Sequence, residues 1–140
     1  TRKYLLVAKD EKSAKEINHY FVKAGLASME VETGINNVIP KMTKDSSYEG
    51  IILEADVTQS VPMYIGKLRA NKNAAQIPIV VLAPEEDIWL EVTRAYDAWA
   101  NFVVTSPMDE DVANHICWIL ESLLGFTSQY KENLERFYRR

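Results

Sequence analysis

The sequence predicts an α/β domain: one parallel β-sheet with helices packed on both of its faces. Three observations predict it. Short apolar runs alternate with longer stretches whose apolar residues recur every three or four positions. The runs are nearly continuous in apolar character, as strands are when helices cover both sides of a sheet. The connections between runs are short, so the strand–helix–strand repeats close as right-handed crossovers of parallel strands.

Tyr4-Leu5-Leu6-Val7-Ala8 reads as the first strand. A helix follows over 10–23, with Ala14, Ile17, Phe21 and Ala24 on one face and Gly25 as its stop. Residues 27–33 alternate Met29, Val31 and Thr33 against Ser28, Glu30 and Glu32, which predicts an edge strand with one polar face. Ile35, Val38, Ile39 and Met42 then fall at helical spacing. Pro40 is tolerated only in a first turn, so this helix starts near Asn36 or Asn37, either of which can cap it. Ile51-Ile52-Leu53 is a buried strand ended by Glu54-Ala55-Asp56. Ser60 before Val61-Pro62 is an N-cap with proline just inside, leading a helix through Ile65 and Leu68 to about Ala70. The β-branched run over 77–82 gives the fourth strand. Pro84-Glu85-Glu86-Asp87 opens a fourth helix that turns Ile88, Val92 and Ala95 inward. Phe102-Val103-Val104 is the fifth strand, and Asp109 caps a fifth helix with Val112, Ile116, Ile119 and Leu123 inward and Gly125 at its end. The domain therefore occupies residues 1–125. Residues 126–140 form an extra amphipathic helix with Tyr130, Leu134, Phe137 and Tyr138 at helical spacing, expected to dock on the domain or link to a following one.

Composition narrows the function classes. With 140 residues, 47% of them apolar and 26% charged, the chain has the makeup of one globular domain. A net charge of −4 argues against a nucleic-acid binder, whose footprint is basic. No apolar run approaches the roughly 20 residues that cross a bilayer, and no signal-peptide core opens the chain, so a cytoplasmic location is expected. The single cysteine, Cys117, makes neither an internal disulfide nor a cysteine-based zinc site and reads as an inert buried thiol. The first residue is Thr1, as in a module taken from a longer chain.

In an open parallel sheet, ligands bind at the carboxyl ends of the strands. That selects Ala8-Lys9-Asp10, Glu54-Ala55-Asp56, Ala83 and Thr105-Ser106-Pro107. The turn over 9–13 has no glycine and carries two acids, so it lacks the phosphate-cradling loop of a flavin or nucleotide binder.

Several stretches resemble the receiver domain of response regulators: Tyr4-Leu-Leu-Val7, Ile51-Ile-Leu-Glu54, Ile77-Pro-Ile-Val-Val-Leu82, Ala95-Tyr-Asp-Ala-Trp-Ala100 and Phe102-Val-Val-Thr-Ser-Pro107. The resemblance covers residues 3 to about 125. It implies a CheY-like (βα)5 form of the flavodoxin-like doubly wound sheet, with strand order 2-1-3-4-5. It also implies a site in which an acidic pair holds Mg²⁺, an aspartate takes a phosphoryl group, a hydroxyl and a lysine contact that group, and an aromatic ring in strand five responds. This sequence departs at each position: the acidic pair falls on Ala8 and Lys9, the phosphoacceptor on Glu54, the hydroxyl on Ala83, the lysine on Ser106 and the ring on Val103.

Replacing two carboxylates by a methyl and an ammonium removes magnesium ligands and adds a repelling charge. Glu54 also reaches about 1.5 Å further than aspartate, and a misplacement near 1 Å costs about 10²-fold in rate. The expectation is thus a degenerate receiver-like domain of two-component phosphorelay signalling. It is not an enzyme, uses no cofactor or metal, and acts independently of phosphorylation. Its partner would be a protein or a second copy, with no nucleic acid and no membrane. Lys9 is expected in the metal's place, paired with Glu54, with Asp10 or Asp56 as a second acid. Two alternatives remain: a receiver that still accepts a phosphoryl group on Glu54 or Asp56, and a flavodoxin-like cofactor-binding protein.

The resemblance further implies contacts through the face formed by the fourth helix, fifth strand and fifth helix. Trp89, Tyr96, Trp99 and Trp118 fall there, and large aromatics are enriched in interface hot spots. Trp99 stands where the family has glycine, so its ring is expected to fill a spot of bare backbone. His19 reads as a surface residue, His115 lacks companions for a metal site, and Asp45-Ser46-Ser47 reads as a polar turn.

Overall fold

The computed structural model describes residues 3–25, 29–83, 99–105 and 107–122. Within them the strands are β1 (Tyr4–Ala8), β2 (Glu30–Thr33), β3 (Gly50–Glu54), β4 (Ile79–Leu82) and β5 (Phe102–Val104). The helices are α1 (Glu11–Lys23), α2 (Val38–Lys44), α3 (Val61–Arg69) and a helix over 110–122, with a short 3₁₀ turn at Ala55–Val57. The five strands pair in parallel in the order β2-β1-β3-β4-β5. The fold class and strand order are those expected. The fourth helix over 84–98 and the extra helix over 126–140 lie outside the described residues.

Alternation along the strands builds two cores. Leu5, Val7, Ile51, Leu53, Ile79, Val81 and Val103 face one side, against Val38 and Met42 of α2 and Val61, Ile65 and Leu68 of α3. Leu6, Ala8, Ile52, Val80, Leu82 and Val104 face the other, against Ala14, Ile17 and Phe21 of α1 and Ala113, Ile116 and Leu120 of the last helix. Every residue of β1 and β3 is buried, which is why those runs show no polar face. Gly50 is needed for space: a Cβ there would lie 2.8 Å from the Tyr4 ring.

The helix ends follow the sequence signals. Asp10 caps α1 by accepting from the Ser13 N–H at 2.7 Å, and Gly25 ends it at φ +96°. Ser60 caps α3 through the Met63 N–H. Asn37 precedes α2 as expected, with Pro40 in the first turn, but its side chain makes no cap hydrogen bond. In the last helix the buried seam is Ala113, Ile116 and Leu120 instead of Val112, Ile116 and Ile119; Val112 and Cys117 flank it partly buried.

The edge strand is held by charge. Val31 of β2 is 38% exposed, while Glu30 and Glu32 turn toward α2. Lys41 bridges them, its ammonium 3.0 Å from Glu30 and 2.6 Å from Glu32. The buried Tyr48 donates its hydroxyl to Glu30 at 2.7 Å, and Lys3 lies 2.6 Å from Asp45 and 4.4 Å above the Tyr48 ring. Asp45-Ser46-Ser47 is therefore more than a polar turn: its aspartate anchors Lys3 and accepts from Ser47. The hydroxyl of Tyr48 and the ammonium of Lys41 hold the Glu30 carboxyl below its ordinary value, and Glu32 raises Lys41.

At the opposite end of the sheet, the Arg69 guanidinium gathers the chain. It donates twice to the Trp99 carbonyl, at 3.0 and 2.8 Å, and to the carbonyls of Ala74 and Ile77 at 2.9 and 2.7 Å. It also reaches Asn101 Oδ1 at 2.8 Å, and that oxygen accepts from the Ile79 N–H as well. Trp99 has φ +76°, a left-handed backbone that disfavours every residue but glycine. Its side chain is 75% exposed, so the indole does not fill the spot expected for it.

Trp99→Gly removes backbone strain without emptying a core and is expected to raise stability by about 1 kcal/mol in chemical denaturation. Because the Glu30 carboxyl sits lower in the folded chain than in the unfolded one, its contribution is present above its ordinary value of 4.5 and is lost as pH falls through the folded value. Glu30→Gln should flatten the fall in stability below about pH 4.5 in acid titrations of the melting temperature.

Candidate functional site

Position along β3 decides where Glu54 goes. Ile51 and Leu53 face α2 and α3, so Ile52 and Glu54 face α1. The Glu54 side chain is the buried charged group among the described residues, 8% exposed. Ser13, in the first turn of α1, donates its hydroxyl to Glu54 Oε1 at 2.6 Å. The backbone N–H of Lys9, just beyond β1, donates to the same oxygen at 3.3 Å. A carboxylate removed from water needs such donors, and charge-assisted bonds of this kind are the strong ones.

The expected pair of Lys9 with Glu54 is not what forms. The Lys9 ammonium lies 3.9 Å from Asp56 Oδ2, with both side chains about half exposed (49% and 51%). Beyond β1 the Lys9 side chain leaves the sheet, and its ammonium stays hydrated while its N–H serves Glu54. Asp10 is not the second acid either, since its carboxylate is turned back to cap α1. Ala8, Ala83 and Val103 sit in the cores: Ala8 lies among the residues facing α1, Ala83 and Val103 on the side of α2 and α3. Ser106 lies outside the described residues.

What remains at the mouth is a hollow of about 200 Å³ lined by Glu54, Lys9, Ser13 and Glu16, with Ile17, Leu82, Pro107 and Met108 supplying apolar wall. Sequence reading missed Ser13 and Glu16. A signal was available: Ser13, Glu16 and Ile17 fall at helical positions i, i+3 and i+4, so a face that buries Ile17 also carries the other two. Among the described residues no group of three His, Cys, Asp or Glu side chains can hold a metal ion. The described donor set does not fit magnesium: where the resemblance implies a carboxylate pair the chain has Ala8 and Lys9, and one oxygen of Glu54 already takes two hydrogen bonds.

The described aromatic residues gather toward the start of β5, on opposite faces of the sheet. Trp118, 66% exposed, stacks on His115 with ring centroids 6.2 Å apart and planes at 16°. His115 meets Phe102 edge-on at 5.8 Å. His115 and His19 are both exposed. Trp99 lies three residues before Phe102, beside Arg69 on the α3 side. Trp89 and Tyr96 lie outside the described residues. Cys117 is half-buried, its thiol raised by burial and by the nearby Glu121. No described helix is long and apolar enough to cross a membrane.

Ser13→Ala deletes the shorter bond to a buried carboxylate and is expected to cost about 1–3 kcal/mol in urea denaturation. Lys9→Ala keeps the N–H and loses only an exposed ion pair, so its effect should stay within about 0.5 kcal/mol.

No protein-family model and no curated protein matches the sequence. Solved structures do. A pilus assembly-related protein from Burkholderia pseudomallei is similar with a TM-score of 0.73 at 11% identity, over 87% of this chain and 90% of that one. The signal receiver domain of a signal transduction histidine kinase from Syntrophus aciditrophicus gives 0.72 at 17% identity, over 89% and 91%. The receiver domain of a sensor histidine kinase from Pseudomonas aeruginosa, with a magnesium ion coordinated in its active site cleft, gives 0.65 at 15% identity, over 89% and 99%. A two-sided parallel sheet in the order 2-1-3-4-5, superimposing on these chains over most of its length, gives this protein the CheY-like fold of response-regulator receiver domains.

Proposed function

We propose that the chain is a receiver-like module of two-component, phosphorelay-type signalling that works by protein contact without accepting a phosphoryl group. The observation that carries this reading is Glu54. It ends β3 where the resemblance places a phosphoacceptor, yet it is buried, and one oxygen is taken by the Ser13 hydroxyl and the Lys9 N–H. Phosphoryl transfer to a carboxylate relies on a cation to neutralise developing charge, and an ammonium on the rim in place of two carboxylates opposes that cation. The similar chains support the signalling context, since receiver domains of histidine kinases and response regulators share this fold. In this reading the module is non-enzymatic and cytoplasmic, and its partner is another protein or a second copy of itself.

The contact surface in this reading is the face of the fourth helix, β5 and the last helix. The Trp118–His115 stack supports it, because a large ring left mostly in water is an unsatisfied apolar area that a partner can cover. Incubation of the chain with magnesium chloride and acetyl phosphate, followed by intact mass measurement, tests the absence of phosphorylation. The expected result is an unmodified mass; a phosphoryl adduct on Glu54 or Asp56 would overturn the reading.

A further inference from the structure

We propose that the hollow at the strand ends receives the cationic side chain of a protein partner, a lysine or arginine, with its charged head at Glu54 and its aliphatic stem along Ile17, Leu82 and Met108. This rests on the reading of the chain as a protein-contact module and gives that contact a chemical identity.

Glu54 supplies the need for a cation. It is 8% exposed and lines the hollow. Among the described residues no ammonium or guanidinium lies within ion-pair distance of it, and both hydrogen bonds it receives go to Oε1. Among the described residues nothing donates to Oε2, and the Glu54 side chain lines the hollow. A buried carboxylate with neutral donors but no counter-charge is incompletely compensated, and a cation brought to it interacts more strongly than at an open surface. The rim cation is committed elsewhere, since the Lys9 ammonium lies beside Asp56.

The remaining lining selects the kind of cation. Glu16 adds a second carboxylate on the wall that carries Ser13, so the lining holds two acids against the one ammonium of Lys9. Ile17, Leu82, Pro107 and Met108 make the rest apolar, which suits a charged head on a hydrocarbon stem better than a bare ion. The volume of about 200 Å³ falls below the ~300–1,000 Å³ of sites for drug-sized ligands and cofactors. It suits one long side chain.

The test uses the full chain, isotope-labelled for NMR, titrated with butylammonium chloride as the probe. Sodium chloride at matched ionic strength and sodium butyrate are the controls. Saturable shifts are expected at the amides of Lys9, Ser13 and Leu82, with a dissociation constant on the order of millimolar for so small a cation. Glu54→Gln should weaken binding about tenfold or more, Glu16→Gln about two- to threefold, and Lys9→Ala should strengthen it by a similar factor. Equal shifts in sodium chloride, saturation by butyrate instead, or butylammonium binding unaffected by Glu54→Gln would overturn the proposal. Should Glu54→Gln not fold, Glu16→Gln and Lys9→Ala decide, and unchanged affinity in both overturns it. An absence of amine binding with an unmodified mass in acetyl phosphate sinks this proposal alone, whereas a phosphoryl adduct sinks the functional reading beneath it.

Discussion

The mouth of this sheet is organised by one short hydrogen bond, from the Ser13 hydroxyl to the buried carboxylate of Glu54. It joins the first turn of α1 to the end of β3 across residues far apart in sequence. It also settles the roles of their neighbours. With the carboxylate served by Ser13 and by the Lys9 N–H, the Lys9 ammonium is free to turn outward to Asp56. Asp10 is free to cap the helix that presents Ser13. Among the described residues, the buried carboxylate is held by neutral donors.

The architecture was legible because it is written in apolar periodicity. β1 and β3 are buried on both faces, and the sequence shows unbroken apolar runs there; α1 buries Ala14, Ile17 and Phe21 at the spacing that announces it. Capping was legible where the residue type has a single use, as with Ser60 before Val61-Pro62. It failed at Asn37, which is in place but makes no side-chain bond. The last helix was rotated by about one position in the reading. Val112 and Ile119 are as apolar as Ala113 and Leu120, and pattern alone does not separate a flank from a seam.

The candidate site was legible in part. Glu54, Lys9 and Asp56 lie at the strand ends the sequence reading picked out, and Lys9 lies near Asp56, one of the two second acids it named, but its ammonium does not pair with Glu54. Pairing a lysine with the nearest buried acid follows from charge alone. The observed arrangement depends on backbone direction: the Lys9 N–H points to Glu54 while its side chain leaves the sheet. Ser13 carries no charge and belongs to no motif, so nothing short of the helix face marked it. Trp99 was misread for a similar reason. Its volume suggested filling, whereas the left-handed backbone pinned by Arg69 throws the ring outward.

The edge strand β2 has a consequence of its own. Its Val31 faces outward and its acids face α2, so what fastens this strand to the helix beneath is a lattice of charges through Lys41 and Lys3, not a buried apolar stripe. Attraction between these partly buried ions weakens as electrolyte is added, less than it would at an open surface, while the apolar interior of the sheet does not feel it. Salt therefore acts on the border of this sheet more than on its centre, although the backbone ladder to β1 still holds the edge.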